Sequence, residues 1–294
     1  MKREEINIRD PFILNDGGTL YMYGSTDKNI WGGECFTFSA YRTTDLVNFE
    51  GPFVVFTRPE GFWANEQFWA PEVHKYKGEY YLFGSFFKKG VGRRSQILLA
   101  KSPLGPFVPA ADPFTPLGWD CLDATLYVEN GTPYSVFCHE WVQITDGSME
   151  VVRLKEDLRG TIGQPKTLFH ASDAPWVRSH SYDGKFDGYI TDGPYLRKLQ
   201  SGKLLMIWSS CTTDSAYAVG MSVSDSGEIC GPWRHMESPL FAANGGHACL
   251  FEYGDKLLMS LHQPNIISSE RPRFYELREC CDHLEIKGLF NMEE

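Results

Sequence analysis

Residues 77–87 read KGEYYLFGSFF: a turn centred on Gly78, then a short run of aromatic and aliphatic residues. The pattern returns as DGGTLYMYGST at 16–26, NGTPYSVFCHEW at 130–141, SGKLLMIWSS at 201–210 and YGDKLLMSLH at 253–262. Each copy has a second half with further strand-like residues. Examples are AYRTTDLVNFEGPF at 40–53, ILLAKSPLGPF at 97–107, EVVRLKEDLRGT at 150–161, AVGMSVSDSGEICGPW at 218–233 and FYELRE at 274–279. The glycine turns fall roughly 50 to 70 residues apart, the spacing of propeller blades that carry loop insertions. Tight hairpin turns, short strands and almost no helical period argue for an all-β chain. The helix-like pieces EDLRG after Glu156 and ASDAPWVRS at 171–179 are, respectively, too short and broken by Pro175. The expected fold is one domain, residues 1–294, built as a five-bladed β-propeller of four-stranded antiparallel blades around a central axis. Radial repetition leaves only short strand edges exposed.

A second regularity lies upstream of each turn, where a polar residue recurs: Asp10, Glu72, Asp123, Asp192 and His247. The innermost strand of a blade runs beside the axis, so these five residues are expected to converge there. Like charges in one cavity raise each other's pKa. Folding alone does not ask for such a cluster, and perturbed acids in a cleft mark functional sites. A solitary Asp is most often a turn or cap residue bonded to its own backbone; recurrence from blade to blade weakens that reading. Opposed carboxylates are what glycoside hydrolysis requires. One protonates the leaving oxygen while the other activates water or attacks the anomeric carbon, and a third can hold the acid protonated.

Composition narrows the alternatives. Net charge is −10 with scattered basic residues, so no nucleic-acid partner is expected. No apolar run approaches the roughly 18 residues of a membrane helix, and MKREEINIRDPFIL lacks an apolar signal core. The eight cysteines form no CxxC pair, and Cys138 and Cys249 sit in apolar strands as small hydrophobes would. The expectation is a cytoplasmic protein with reduced thiols and no membrane partner. Aromatics at 14% fit stacked sheets first and sugar platforms second, with Trp31, Phe62, Trp63, Trp141 and Trp176 as platform candidates. His74, on the face of Glu72, reads as a core histidine. The segment HASDAPWVRSHSYDGKFDGYI at 170–190 reads as a loop that walls the pocket.

Several motifs, in order along nearly the whole chain, resemble glycoside hydrolase family 43, a family of inverting five-bladed propellers. RDPFI at 9–13 resembles the motif carrying the general base, which implies that role for Asp10. LDATLYVENGTPYSVF at 122–137 resembles the segment whose Asp tunes the acid and orients substrate, here Asp123. WAPEVHKYKGEYYLFGS at 69–85 is similar to the second blade, with Trp69 in the pocket wall and Glu72 substrate-shaping or structural. GGHACLF at 245–251 resembles the segment whose His lies on the axis beside a calcium ion or water, here His247. HQPN with ERPRFYEL resembles the final blade, where an Arg contacts substrate; Arg271 is the candidate. One departure stands out. The family's acid is a Glu before Gly-Pro, whereas this chain has Asp192 in TDGPYL, one methylene shorter. Asp192 holds the motif position, and Glu140 in VFCHEWVQ is the second candidate for proton donor. No cofactor is required, and a calcium ion on the axis is what the resemblance allows.

The resemblance implies an inverting, exo-acting hydrolase of terminal pentoses on oligosaccharides, first an α-L-arabinofuranosidase and second a β-xylosidase. An axial pocket suits trimming of chain ends, and Trp141 is expected to contact sugar. A galactofuranosidase, a retaining fructosidase-type or phosphorolytic propeller, and a non-hydrolytic sugar-binding propeller are the alternatives. The fructosidase type would want Asn-Asp-Pro where this chain reads Arg9-Asp10-Pro11.

Overall fold

Each glycine turn closes a hairpin between the two inner strands of a sheet. Gly17–Gly18, Lys77–Gly78 and Asn130–Gly131 hold both central residues at positive φ, the type I′ geometry of two-residue hairpins. The computed structural model describes residues 1–212 and 216–291. Blade one contains β1 (Arg9–Asp16), β2 (Thr19–Ser25), β3 (Thr37–Thr43) and β4 (Glu50–Thr57). Blade two contains β5 (Glu66–Tyr76), β6 (Glu79–Lys88), β7 (Gly92–Ala100) and β8 (Val108–Pro109). Blade three contains β9 (Cys121–Glu129), β10 (Thr132–His139), β11 (Ser148–Leu154) and β12 (Thr161–His170), with a short helix α1 (Trp141–Ile144) after β10. A hairpin of β13 (His180–Tyr182) and β14 (Phe186–Gly188) follows. Blade four contains β15 (Asp192–Lys198), β16 (Leu204–Cys211), β17 (Tyr217–Ser224) and β18 (Trp233–His235). Blade five contains β19 (Gly246–Tyr253), β20 (Lys256–Gln263), β21 (Arg271–Glu279) and β22 (Leu284–Leu289). Among the described residues the five sheets are antiparallel between neighbours, and together they form a five-bladed β-propeller.

The core lies in the wedges between blades. Phe38, Phe56, Phe62, Phe68 and Phe86 interlock between blades one and two, with Phe68 and Phe86 edge-on at 4.9 Å. Trp176 meets Trp208 at 5.1 Å between blades three and four. Much of the aromatic surplus is therefore core, and each such ring contributes roughly 1.5–3 kcal/mol through burial. No helix of the described residues is long and apolar enough to cross a membrane.

Every blade is a contiguous piece of chain, so the ring closes without strand exchange. Closure between blades one and five rests on side chains. Arg9 Nη1 meets Glu270 Oε1 at 2.9 Å, and Asn7 Nδ2 donates to the Glu270 carbonyl at 2.9 Å. Arg3 Nη1 donates to Phe290 O at 3.3 Å, and Cys249 Sγ accepts from the Ile13 N–H at 3.2 Å. Glu270 is buried, so Glu270→Gln strands the Arg9 guanidinium with Asp10 as its remaining acidic neighbour. The expected loss is about 3 kcal/mol, the low end for breaking a buried pair. Urea unfolding should show it as a lowered midpoint, whereas Glu50→Gln in the exposed Arg42 pair should leave the midpoint nearly unchanged.

Candidate active site

At the start of its inner strand every blade breaks register with its neighbour. The breaks fall between Arg9 and Phe12, Trp69 and Glu72, Asp192 and Tyr195, and Gly246 and Cys249 on the inner strands, and opposite Leu122–Thr125 in blade three. A bulge of this kind unpairs a residue and re-aims its side chain. The bulged residues are Asp10, Ala70, Asp123, Gly193 and His247, all at φ between 43° and 56°. Non-glycine side chains tolerate that region poorly, so four of these five positions store backbone strain at the axis.

Each bulge is held by the preceding blade. The N–H of Ala70 donates to Ser25 Oγ at 2.8 Å, that of Asp123 to Ser85 Oγ at 2.9 Å, and that of His247 to Ser209 Oγ at 2.8 Å. Blade five offers blade one His262 instead, whose Nδ1 accepts from the Asp10 N–H at 3.1 Å. At the fourth link the Gly193 N–H donates to Asp123 Oδ2 at 3.0 Å. The belt that locks the ring therefore also positions the carboxylates.

This register corrects part of the sequence reading. Asp10, Asp123 and His247 are equivalent and converge, with His247 Nδ1 3.3 Å from Asp10 Oδ1 and 3.7 Å from Asp123 Oδ2. Glu72 lies two residues beyond its blade's bulge and is absent from the cavity lining. It is buried against His74, whose Nε2 is 3.1 Å away, and that ring is wedged against Phe12 and Phe83. Asp192 lies one residue before its bulge, at the level of Arg9 and Trp69, and so stands on the cavity wall. Its Oδ2 accepts from the Tyr217 hydroxyl at 2.9 Å. Arg271 does not reach the cavity, because its guanidinium donates to the Glu4 and Glu270 carbonyls.

The cavity has a volume of about 750 Å³. Asp10, Asp123, Asp192, His247, Glu140, Trp69 and Trp141 all line it. Glu140 is not a strand residue: β10 ends at His139 and Glu140 precedes α1, where its Oε2 accepts from Arg93 Nε at 3.1 Å. Trp31, half-exposed, stands edge-on to Trp69 at 5.2 Å. Phe62 and Trp63 line a separate surface depression, and Trp176 is core. The 170–190 segment does wall the pocket, through His180, Ser181, Tyr182 and Asp183 of the β13–β14 hairpin.

Burial works to raise the Asp10 carboxyl, but His247, Arg9 and the Ser25 hydroxyl (2.7 Å) outweigh it and hold Asp10 below its ordinary value. His262, driven down to about 3 by burial and Arg9, is neutral at pH 7 and so presents a lone pair at Nδ1 to Asp10. Asp123 is pushed well up, by burial first and then by Asp10 and Glu72. Asp192 is raised to about 7 by burial and then by Asp123. One carboxylate is thus kept charged while a neighbour is kept protonated, the electrostatic separation of a base from an acid.

Calcium takes six to eight oxygen ligands. Around His247 the protein offers an imidazole whose Nδ1 faces two carboxylates. A calcium ion beside His247 would therefore take most of its ligands from water, and no chemical step is assigned to a metal.

Sequence reasoning missed Arg9, Arg93 and Tyr217. Arg9 was readable as the neighbour of Asp10. Arg93 lies in β7 and Tyr217 in β17, and both reach the cavity only because third strands pack beside the inner ones. Arg93 stacks on Trp69 with its guanidinium carbon 3.6 Å from the ring centroid and donates to Gln67 Oε1 at 2.6 Å.

The family description "Glycosyl hydrolases family 43" matches residues 5–277. A Bacteroides thetaiotaomicron VPI-5482 structure titled as an endo-arabinase is 38% identical, with a TM-score of 0.89, covering 95% of this chain and 97% of that one. The extracellular exo-α-(1→5)-L-arabinofuranosidase of Streptomyces chartreusis is 29% identical over 62% of this chain and 57% of its own length. Alpha-L-arabinofuranosidase 43 of Humicola insolens is 25% identical over 60% of this chain and 37% of its own length. The matches thus span 57% and 37% of these two curated relatives.

Proposed function

The chain belongs to glycosyl hydrolases family 43, and from that premise we propose that it is an inverting, exo-acting glycosidase that removes terminal α-L-arabinofuranose, with β-xylose as the second sugar. In this reading Asp10 takes a proton from water as the water oxygen attacks the anomeric carbon. Asp192 gives its proton to the glycosidic oxygen as the bond to that carbon breaks. Asp123 keeps Asp192 protonated and orients the sugar through its remaining oxygen. Trp31, Trp69 and Trp141 supply apolar faces for the ring. The observation that carries the proposal is the electrostatic split within one cavity: Asp10 lowered, Asp192 raised to about 7.

Exo action is favoured by the β13–β14 hairpin, which adds a wall to the axial cavity. The curated relative described as an exo-arabinofuranosidase supports the sugar. An endo mode on arabinan is the second reading, and the 38% identical structure titled as an endo-arabinase favours it.

Two assays test both. On a panel of 4-nitrophenyl glycosides, kcat/KM should be highest for the α-L-arabinofuranoside. From linear 1,5-linked arabino-oligosaccharides the sole early product should be arabinose, released with inverted anomeric configuration by NMR. Early oligosaccharides of mixed length would replace exo with endo action. Retention, or turnover that requires phosphate, would move the chemistry to another mechanism. Sugar binding without turnover on any glycoside would leave a binding propeller.

A further inference from the structure

The hairpin between β21 and β22 holds a second cluster of reactive side chains, on blade five and separate from the cavity lining. Its register pairs Arg278 with Glu285 and Glu279 with Leu284, and the Cys280 N–H donates to the His283 carbonyl at 2.9 Å. Cys280 and His283 are therefore cross-strand neighbours, and Glu285, two residues on, shares the His283 face. Among the described residues this is the one group of three such ligands whose donor atoms all lie within 4.8 Å of one another.

The hydrogen bonds around the cluster orient it. Asp282 Oδ1 lies 2.9 Å from His283 Nδ1, the carboxylate–imidazole arrangement that leaves Nε2 as the free ligand atom. Nε2 in turn faces Glu285 Oε1 at 3.4 Å. Two ligands of a tetrahedral zinc with bonds of about 2.0–2.2 Å stand roughly that far apart. Arg278 Nε takes the other carboxylate oxygen, Oε2, at 2.9 Å and so leaves Oε1 facing inward. Asp282 Oδ2 meets Arg234 Nη2 of β18 at 2.5 Å, tying the hairpin to blade four.

We propose that Cys280, His283 and Glu285 form a zinc-type divalent-metal site, with water as fourth ligand and Asp282 as the group that orients the imidazole. Thiolate and carboxylate together balance the charge of a divalent ion, and sulfur with nitrogen selects zinc-like metals over calcium or magnesium. The bound ion joins the two outermost strands of blade five at their connecting turn, where Arg234 ties them to blade four.

Cobalt(II) is the probe. Titration of the chelator-treated, reduced full-length protein should give a near-ultraviolet thiolate-to-cobalt band that saturates at one equivalent and is displaced by zinc. Cys280→Ser should abolish the band, Asp282→Ala should weaken binding about 10- to 100-fold, and Cys230→Ser, an exposed cysteine elsewhere, should change nothing. Alkylation mapped by mass spectrometry gives a readout on the native chain alone: zinc should protect Cys280 and leave Cys230 reactive. Absence of the band, its survival in Cys280→Ser, or equal alkylation of Cys280 with and without zinc overturns the proposal.

Discussion

Asp10→Asn is expected to lower kcat about 10²- to 10⁴-fold, the range for loss of a general base, on good and poor leaving groups alike. The amide keeps the shape of the carboxylate and can still accept from Ser25, so the fold should persist. It cannot take a proton from water, and the two carboxylates beside it, Asp123 and Asp192, are both raised and so hold a proton more readily than Asp10 does. The defect should be independent of the leaving group because in a single displacement every substrate, whatever its aglycone, needs the attacking water deprotonated. A second effect has a definite sign. Asp10 is one of the charges that raise Asp123 and Asp192, so its neutralisation lets both fall. The alkaline limb of the residual kcat/KM profile should then move to lower pH than in the wild type. A profile lost equally at every pH, with the alkaline limb unmoved, would separate Asp10 from the acid and sink the assigned pairing.

The propeller was legible because its signal is local. Gly17–Gly18, Lys77–Gly78 and Asn130–Gly131 need positive φ, and only a few residue types supply it next to aromatic strands. The site was half legible. Asp10 and Asp123 stand eight residues before Gly18 and Gly131, and the residue eight before Gly78 is Ala70. Spacing therefore pointed to Ala70, but the search for a charge selected Glu72, two residues deeper. In blade four the bulge falls on Gly193, and the carboxylate beside it gains the wall instead of the axis. Arg271 was placed by motif, yet the last blade turns it toward the N-terminal segment, where carbonyls absorb its donors. Arg93 and Tyr217 had no signal at all. They matter through contacts that cross between strands or blades, and one chain read alone does not encode which third-strand residues will face a cavity.

The sharper test concerns the proton donor. Asp192→Asn should lower kcat on arabino-oligosaccharides about 10²- to 10⁴-fold, yet leave most activity on a 4-nitrophenyl glycoside, whose leaving group departs without a proton. Glu140→Gln should show no such dependence on the leaving group. Its carboxylate is spoken for by Arg93, which also backs Trp69, so the expected defect is in KM through a loosened wall. The pH dependence distinguishes the two independently. With Asp192 titrating near 7, its protonated form is available below that pH and disappears above it, so wild-type kcat/KM on natural substrate should fall as pH rises through about 7. Glu140→Gln should keep that limb and Asp192→Asn should erase it. Stability should move the other way. A carboxyl whose folded pKa is raised favours the folded state while protonated and penalises it as pH climbs from the unfolded value of 3.8 through about 7. Asp192→Asn should therefore match the wild type in Tm below pH 4 and exceed it above pH 7, because burial next to Asp123 destabilises the charged side chain. An acid site held at that disadvantage, with Tyr217 hydrogen-bonded to it at 2.9 Å, is hard to explain as scaffold. If the leaving-group dependence and the alkaline limb both follow Glu140, the proton is delivered from the Arg93 side of the cavity, and Asp192 is a buried acid that only shapes the pocket.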